Sequence, residues 1–222
     1  DGPTIMATGM RRRPALVAIE TEEDILRGVT ALRRKCPVMR KIFKATGVPP
    51  LRRREPGLEG LLRIVVGQQV SVASANAIWA RLQAAGLDEE KAVLAASEEQ
   101  LRSCGLSRPK VRYALALAQS GIPYGDLREM PTENVIKTLT AVAGIGQWTA
   151  DIYAMFSLGR ADVFATGDLA LQESARVLFD LPERPSAKEL GVMAQDWAPW
   201  RSVAARLLWA YYRVIKQREG LR

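Results

Sequence analysis

Leu58, Leu61, Leu62 and Val65 recur at the spacing of one helical face, so residues 58 to about 66 are predicted as a helix with a single buried side. The same pattern continues for most of the chain. Thr21 and Asp24 form a capping signal for a helix over 21–35, and Pro37 opens a second that runs through 38–46. Pro49, Pro50 and an arginine run mark 47–56 as a linker. Residues 67–70 interrupt the next helical stretch, and Ser71 can cap a helix to about 85. Further helices are predicted over 89–95, 97–103 (with Ser97 and Gln100 as a capping box), 107–119, 132–142 and 148–158. Residues 160–166 read as extended, because Val163 and Phe164 lie between Gly159 and Gly167 without helical spacing. Helices resume over 168–179, 187–195 and 200–217, the last with Val203, Leu207, Tyr211 and Val214 on one face. No convincing strand pairs, internal repeats or low-complexity stretches are found, so the fold class is all-α.

Composition adds a polyanion to this picture. The 222 residues carry 32 Lys plus Arg against 24 Asp plus Glu, a formal charge of +8. The excess is concentrated at the N-terminal end, where residues 1–56 hold 13 basic and 6 acidic side chains. The clusters Arg11 to Arg13 and Arg52 to Arg54 are read as solvated surface before specific phosphate contacts. The opening DGPTIMATGM carries no periodicity, and no fold expectation rests on it. There is no His, which excludes a His general base and a His-ligated metal, and two Cys cannot make a four-Cys cluster. No apolar run is long enough for a membrane span.

Candidate chemistry lies in VAGIGQWTADIYAMFSLGRADVFATGDLAL, from Val142 to Leu171. Gly144 and Gly146 flank Ile145, so the backbone can turn sharply and approach another backbone while Ile145 anchors the turn. Trp148 and Thr149 then open a helix whose free amides can seat a phosphate oxygen. This turn is therefore a candidate DNA-backbone grip. Asp168 follows Gly167 at a helix start, where helix capping is the ordinary role of an aspartate.

LTAVAGIGQWTAD resembles the hairpin of the helix-hairpin-helix DNA glycosylase superfamily, and Asp168 falls where that superfamily carries its catalytic aspartate. LRIVVGQQVSVASANAIWARL (62–82) and APWRSVAARLLWAYY (198–212) are similar to its 3-methyladenine DNA glycosylase II branch in particular. The resemblance spans residues 58–215. It implies two helical subdomains, 58–160 and 15–57 plus 161–222, with a DNA-binding cleft between them that holds Asp168. The few residues before Thr21 leave no room for the β domain that some members carry, so the compact form is expected.

What the resemblance implies for each residue can be weighed against ordinary structural roles. Strand-nicking members have a Schiff-base Lys before the Thr, and this chain has Trp148, so a monofunctional hydrolase is expected. Asp168 would stabilise an oxocarbenium-like sugar and orient water, a role compatible with capping. Trp148 and Trp209 match pocket tryptophans that would grip a flipped, positively charged base; for Trp209 a place in the core is equally open. Trp79, Trp197 and Trp200 are assigned to the core, and Asp151 and Asp162 to surface or structural roles. Gln69 stands at the position of the wedge that fills the hole left by flipping, or is a polar loop residue. Gln68 is expected to tie its loop to nearby backbone. The chain departs from the pattern at Ile152, where some members have a pocket Tyr, and at Ala143, where the hairpin often has Pro.

The expected function is excision of alkylated purines of the 3-methyladenine and 7-methylguanine type from double-stranded DNA by a monomer. The expected enzyme needs no cofactor, though the hairpin carbonyls could hold a monovalent cation. It has no membrane partner, and is cytoplasmic if bacterial or nuclear if eukaryotic. Two alternatives stay open: a non-catalytic helix-hairpin-helix DNA-binding protein, and a glycosylase for a neutral lesion such as uracil or hypoxanthine.

Overall fold

The computed structural model describes residues 17–220. Arg11, Arg12 and Arg13 lie outside the described residues, as do residues 15, 16, 221 and 222 of the expected second subdomain. The first two helices are α1 (Glu22–Lys35) and α2 (Pro37–Thr46). At the start of α1 the Thr21 hydroxyl accepts from the Asp24 N–H at 3.2 Å, and the Asp24 carboxylate accepts from the Thr21 N–H at 3.0 Å. This reciprocal capping fixes where the helix begins.

After the loop at 47–56 come α3 (Gly57–Val66), α4 (Val72–Ala84), α5 (Glu90–Ala95), α6 (Glu98–Ser103), α7 (Arg108–Gln119), α8 (Tyr124–Leu127), α9 (Thr132–Thr140) and α10 (Gln147–Ile152). Ser71, Ser97 and Ser107 each accept from a backbone N–H in the first turn of the helix they precede. α3 lies at the centre of this group, in contact with α4, α7, α8 and α10, while α9 packs on α10. The four-residue α8 has no counterpart in the sequence reading, since one turn is too short to show a period.

The expected single helix over 148–158 is corrected by the structure. α10 widens into a π-helix over Tyr153–Ser157, closed by the Leu158 N–H donating to the Tyr153 carbonyl at 3.1 Å. Every residue from Thr149 to Ser157 is buried, so the sequence has no polar face there to reveal the change of pitch.

The chain next passes beside residues 17–19. The Ile19 N–H donates to the Gly159 carbonyl at 2.6 Å, and Ala18 and Arg160 form an isolated antiparallel bridge, the sole β-pairing among the described residues. The remaining helices are α11 (Leu169–Leu178), α12 (Ala187–Ala194) and α13 (Arg201–Gly220), preceded by a short 3-10 turn at Gln195–Trp197. α13 packs against α1, α2 and α11. Its contact with α1 is close: a Cβ on Gly28 would stand 2.6 Å from Val203 Cγ2. Gly28 is therefore the residue that lets these two helices approach. The stretch at 160–166, expected to be extended, is irregular instead, with a turn at 161–162 and another beginning at Thr166, and it carries the chain from α10 and its π-helical extension to α11.

Candidate active site

Asp168 is the N-cap of α11, and its Oδ1 accepts from the Leu171 N–H at 3.0 Å. The same oxygen accepts from the Trp209 indole N–H at 3.2 Å, while Oδ2 accepts from the Trp148 indole N–H at 2.9 Å. Trp148 comes from α10 and Trp209 from α13, so side chains from separate helices converge on one half-buried carboxylate. No lysine or arginine among the described residues lies within ion-pair distance of it. Neutral donors thus orient the negative charge without cancelling it, leaving it able to stabilise a cation formed nearby.

Each tryptophan also walls a cavity. Trp148 lines an open cleft of about 450 Å³ together with Arg54, Arg63, Gly67 and Val70. Trp209 lines a small pocket of about 20 Å³, with Phe156, Arg206 and Arg213 among the other walls. Phe156 packs against Trp209 with ring centroids 5.7 Å apart, and the Arg206 guanidinium lies over the Phe156 ring at 4.6 Å. Arg206 is 4% exposed and pairs with no carboxylate among the described residues; burial pushes its guanidinium down to about 10.

The hairpin is set by two glycines used differently. Gly144 has φ +86°, and a Cβ there would meet Tyr113 Cγ at 2.2 Å. Gly146 has φ −88° and ψ −179°, ordinary extended backbone, with nothing within 4 Å of an added Cβ. Gly144 is required by the fold itself, whereas Gly146 leaves an open surface. Ile145 is 4% exposed and anchors the turn in the core. No side chain caps the start of α10, so its first amides are left to another acceptor.

The phosphate seat expected at Thr149 is its backbone amide, and its side chain is used elsewhere. The residue is 2% exposed, and its hydroxyl accepts from the Gln68 side-chain amide at 2.8 Å, so the hydroxyl serves an internal contact and is not presented to an outside phosphate. Gln68 therefore ties its loop to a side chain of α10, not to backbone. Gln69 is exposed with φ +57°, a left-handed conformation that costs a non-glycine residue roughly 1–2 kcal/mol. Asp151 is 4% exposed, which rules out the surface role, and Asp162 forms a bidentate pair with Arg201 at 2.8 and 2.9 Å. Ile152, Trp79 and Trp197 are buried, and Trp200 is half-buried against the core.

Phe156, Arg206 and Lys110 are not among the site residues that the sequence indicates. Arg206 had a usable signal, since it sits inside the apolar run VAARLLWA and so on the inward side of α13. Lys110 had none, because its contacts depend on how α7 lies across α3.

A family model described as HhH-GPD superfamily base excision DNA repair protein matches residues 62–200. The chain is 30% identical over 168 residues to DNA-3-methyladenine glycosylase 1 of Schizosaccharomyces pombe, covering 72% of this chain and 73% of that one. The solved structure of the S. pombe 3-methyladenine DNA glycosylase Mag1 in complex with abasic DNA superposes with a TM-score of 0.73 at 28% identity, covering 82% of this chain and 95% of that one. A DNA-3-methyladenine glycosidase from Bacillus halodurans superposes with a TM-score of 0.75 at 30% identity, over 90% and 94% of the two chains.

Proposed function

The chain belongs to the HhH-GPD superfamily of base excision DNA repair proteins, and we propose that it is a monofunctional DNA glycosylase that removes alkylated purines from duplex DNA. One observation supports this reading above the others: the Asp168 carboxylate is held by two tryptophan N–H groups and a backbone amide, with no cation in ion-pair distance among the described residues. A purine methylated on a ring nitrogen already carries positive charge and leaves as a neutral molecule. The sugar is then the group that needs help. As the N-glycosidic bond breaks, its electron pair departs with the base and the deoxyribose becomes oxocarbenium-like. Asp168 faces that charge and orients the water whose oxygen bonds to C1′. The water's proton passes to the carboxylate or to solvent, and an abasic site remains. Trp148 stands where a lyase would need an amine, so no Schiff base with the sugar is available to this chain.

The other residues take supporting roles in this reading. Trp148 and Trp209 offer π-faces to the flipped base, Gln69 enters the duplex in its place, and the backbone from Gly144 through Ile145 and Gly146 to Thr149 grips a phosphate. The hairpin carbonyls are a seat for a monovalent cation, and hydrolysis itself calls for no cofactor. The enzyme acts as a monomer on double-stranded DNA, in the cytoplasm of a bacterium or the nucleus of a eukaryote. No helix among the described residues is long and apolar enough to cross a membrane.

The test is base release from methylated duplex DNA by the wild-type protein and by Asp168→Asn. Free 3-methyladenine or 7-methylguanine should appear with the wild type and fall by about 10³-fold in the variant, while duplex affinity is retained. Failure of the wild type to release either base would leave the non-catalytic DNA-binding reading, and release of uracil or hypoxanthine instead would move the enzyme to neutral lesions.

A further inference from the structure

We infer that Lys110 is a positioning residue for base flipping, reaching from α7 to pin the Gly67–Val70 loop so that Gln69 is presented to the duplex already in place. The inference rests on the wedge role proposed above for Gln69. The Lys110 ammonium donates to the Val66 carbonyl at 2.7 Å and to the Gln68 carbonyl at 2.5 Å. The first contact satisfies an end-of-helix carbonyl of α3, where the helix dipole favours a cation. The second reaches beyond the helix to the peptide that immediately precedes Gln69.

A simple helix cap would need only the first contact. Here the same loop is also fastened from a third element, because the Gln68 side chain donates to Thr149 in the first turn of α10. α3 supplies the loop, α7 clamps its backbone, and α10 takes its side chain. Immediately after these fixings Gln69 is held at φ +57° with its side chain exposed, next to an exposed Val70. Ordinary glutamine in an unbraced loop would relax out of this conformation. Lys110 is half-buried, and desolvation lowers its pKa, so the ammonium is drawn out of water to make these contacts. The bracing orders the wedge before DNA arrives, so the binding energy of the duplex is not spent on ordering the loop.

The consequence is specific to lesions that must be pulled from a pair. A wedge that is poorly placed slows extrusion of a stacked, paired base, but matters little when the base has no partner to leave. The test compares Lys110→Met with the wild type in single-turnover excision of 7-methylguanine placed opposite cytosine or opposite an abasic nucleotide, with 2-aminopurine beside the lesion to report flipping. The variant should slow excision and the flipping signal at least about 10-fold opposite cytosine, while staying within about twofold of wild type opposite the abasic nucleotide. Lys110→Arg, which keeps donors on the loop, should recover most of the loss. Gln68→Met, which removes the other fastening and leaves Lys110 intact, should show the same selective defect if Lys110→Met folds poorly. Equal slowing on both substrates, or no slowing on either, would overturn the positioning role while leaving the glycosylase reading intact. Absence of wild-type excision on both substrates would remove the reading on which it rests.

Discussion

Trp148 and Asp168, twenty residues apart in the chain, are joined by an indole N–H that donates to Oδ2 over 2.9 Å. Trp209 makes the matching bond to Oδ1 at 3.2 Å. The two tryptophans therefore aim the carboxylate in addition to walling their cavities. Trp148→Phe and Trp209→Phe keep a face and remove the N–H. Each should lower single-turnover excision about 10-fold, since a hydrogen bond to a charged group contributes about 1.5–3 kcal/mol. The double variant should fall short of the product of the two losses, because both bonds orient one group. Retention of full activity in either single variant would reduce that tryptophan to a packing residue.

The two hairpin glycines should separate folding from DNA binding. Gly144→Ala forces a Cβ into the Tyr113 ring at a residue with φ +86°, and should cost roughly 1–3 kcal/mol of stability in urea titration along with DNA affinity. Gly146→Ala meets no atom within 4 Å, and its φ of −88° suits any residue. Its stability should match wild type, while duplex affinity drops by about fivefold or more if that surface abuts a phosphate backbone. Unchanged affinity in Gly146→Ala would move the DNA contact away from this turn.

Much of this architecture was legible in the sequence because its signals are local. Thr21 with Asp24, Ser97 with Gln100, and Ser71 announce helix starts, and the structure places caps at all three. The convergence on Asp168 was readable only through the resemblance, since nothing in the spacing of Trp148, Asp168 and Trp209 dictates that three helices meet there. The π-helix of Tyr153–Ser157 was hidden by uniform burial, and the inward hydroxyl of Thr149 by the absence of any local partner for it. Lys110 and Arg206 show the general limit: a charged residue reads as surface until the helices that cover it are in place.

Asp24 links the first helix to pH. Backbone hydrogen bonding from Glu20, with further help from Arg27 and Thr21, lowers its carboxyl to about 2 against the opposing effect of burial. Its folded-state value lies below the unfolded one, so its stabilisation is present above pH 4 and is lost as pH falls through 2. Asp24→Asn should therefore cost about 1–2 kcal/mol near pH 6 and almost nothing near pH 2. Urea titrations at the two pH values check this, and an equal cost at both would assign the effect to packing.

Asp151 should produce the opposite slope. It sits on α10, three residues after Trp148, and burial pushes its carboxyl up to about 7, only partly offset by the hydrogen bond from Gln147 at 2.9 Å. The folded state then holds the proton more tightly than the unfolded chain does. The cost of this buried acid is absent below about pH 4, grows as pH rises, and is complete above pH 7, where the group must ionise out of water. Asp151→Asn keeps an acceptor for Gln147 and cannot ionise. The variant should match wild type near pH 4 and exceed it by on the order of 2–4 kcal/mol at pH 8. Parallel stability curves for the two proteins between pH 4 and 8 would show that Asp151 is solvated in solution. Excision by Asp151→Asn at pH 7 should stay within about threefold of wild type, because its side chain bonds Gln147 within α10 and makes none of the hydrogen bonds to Asp168.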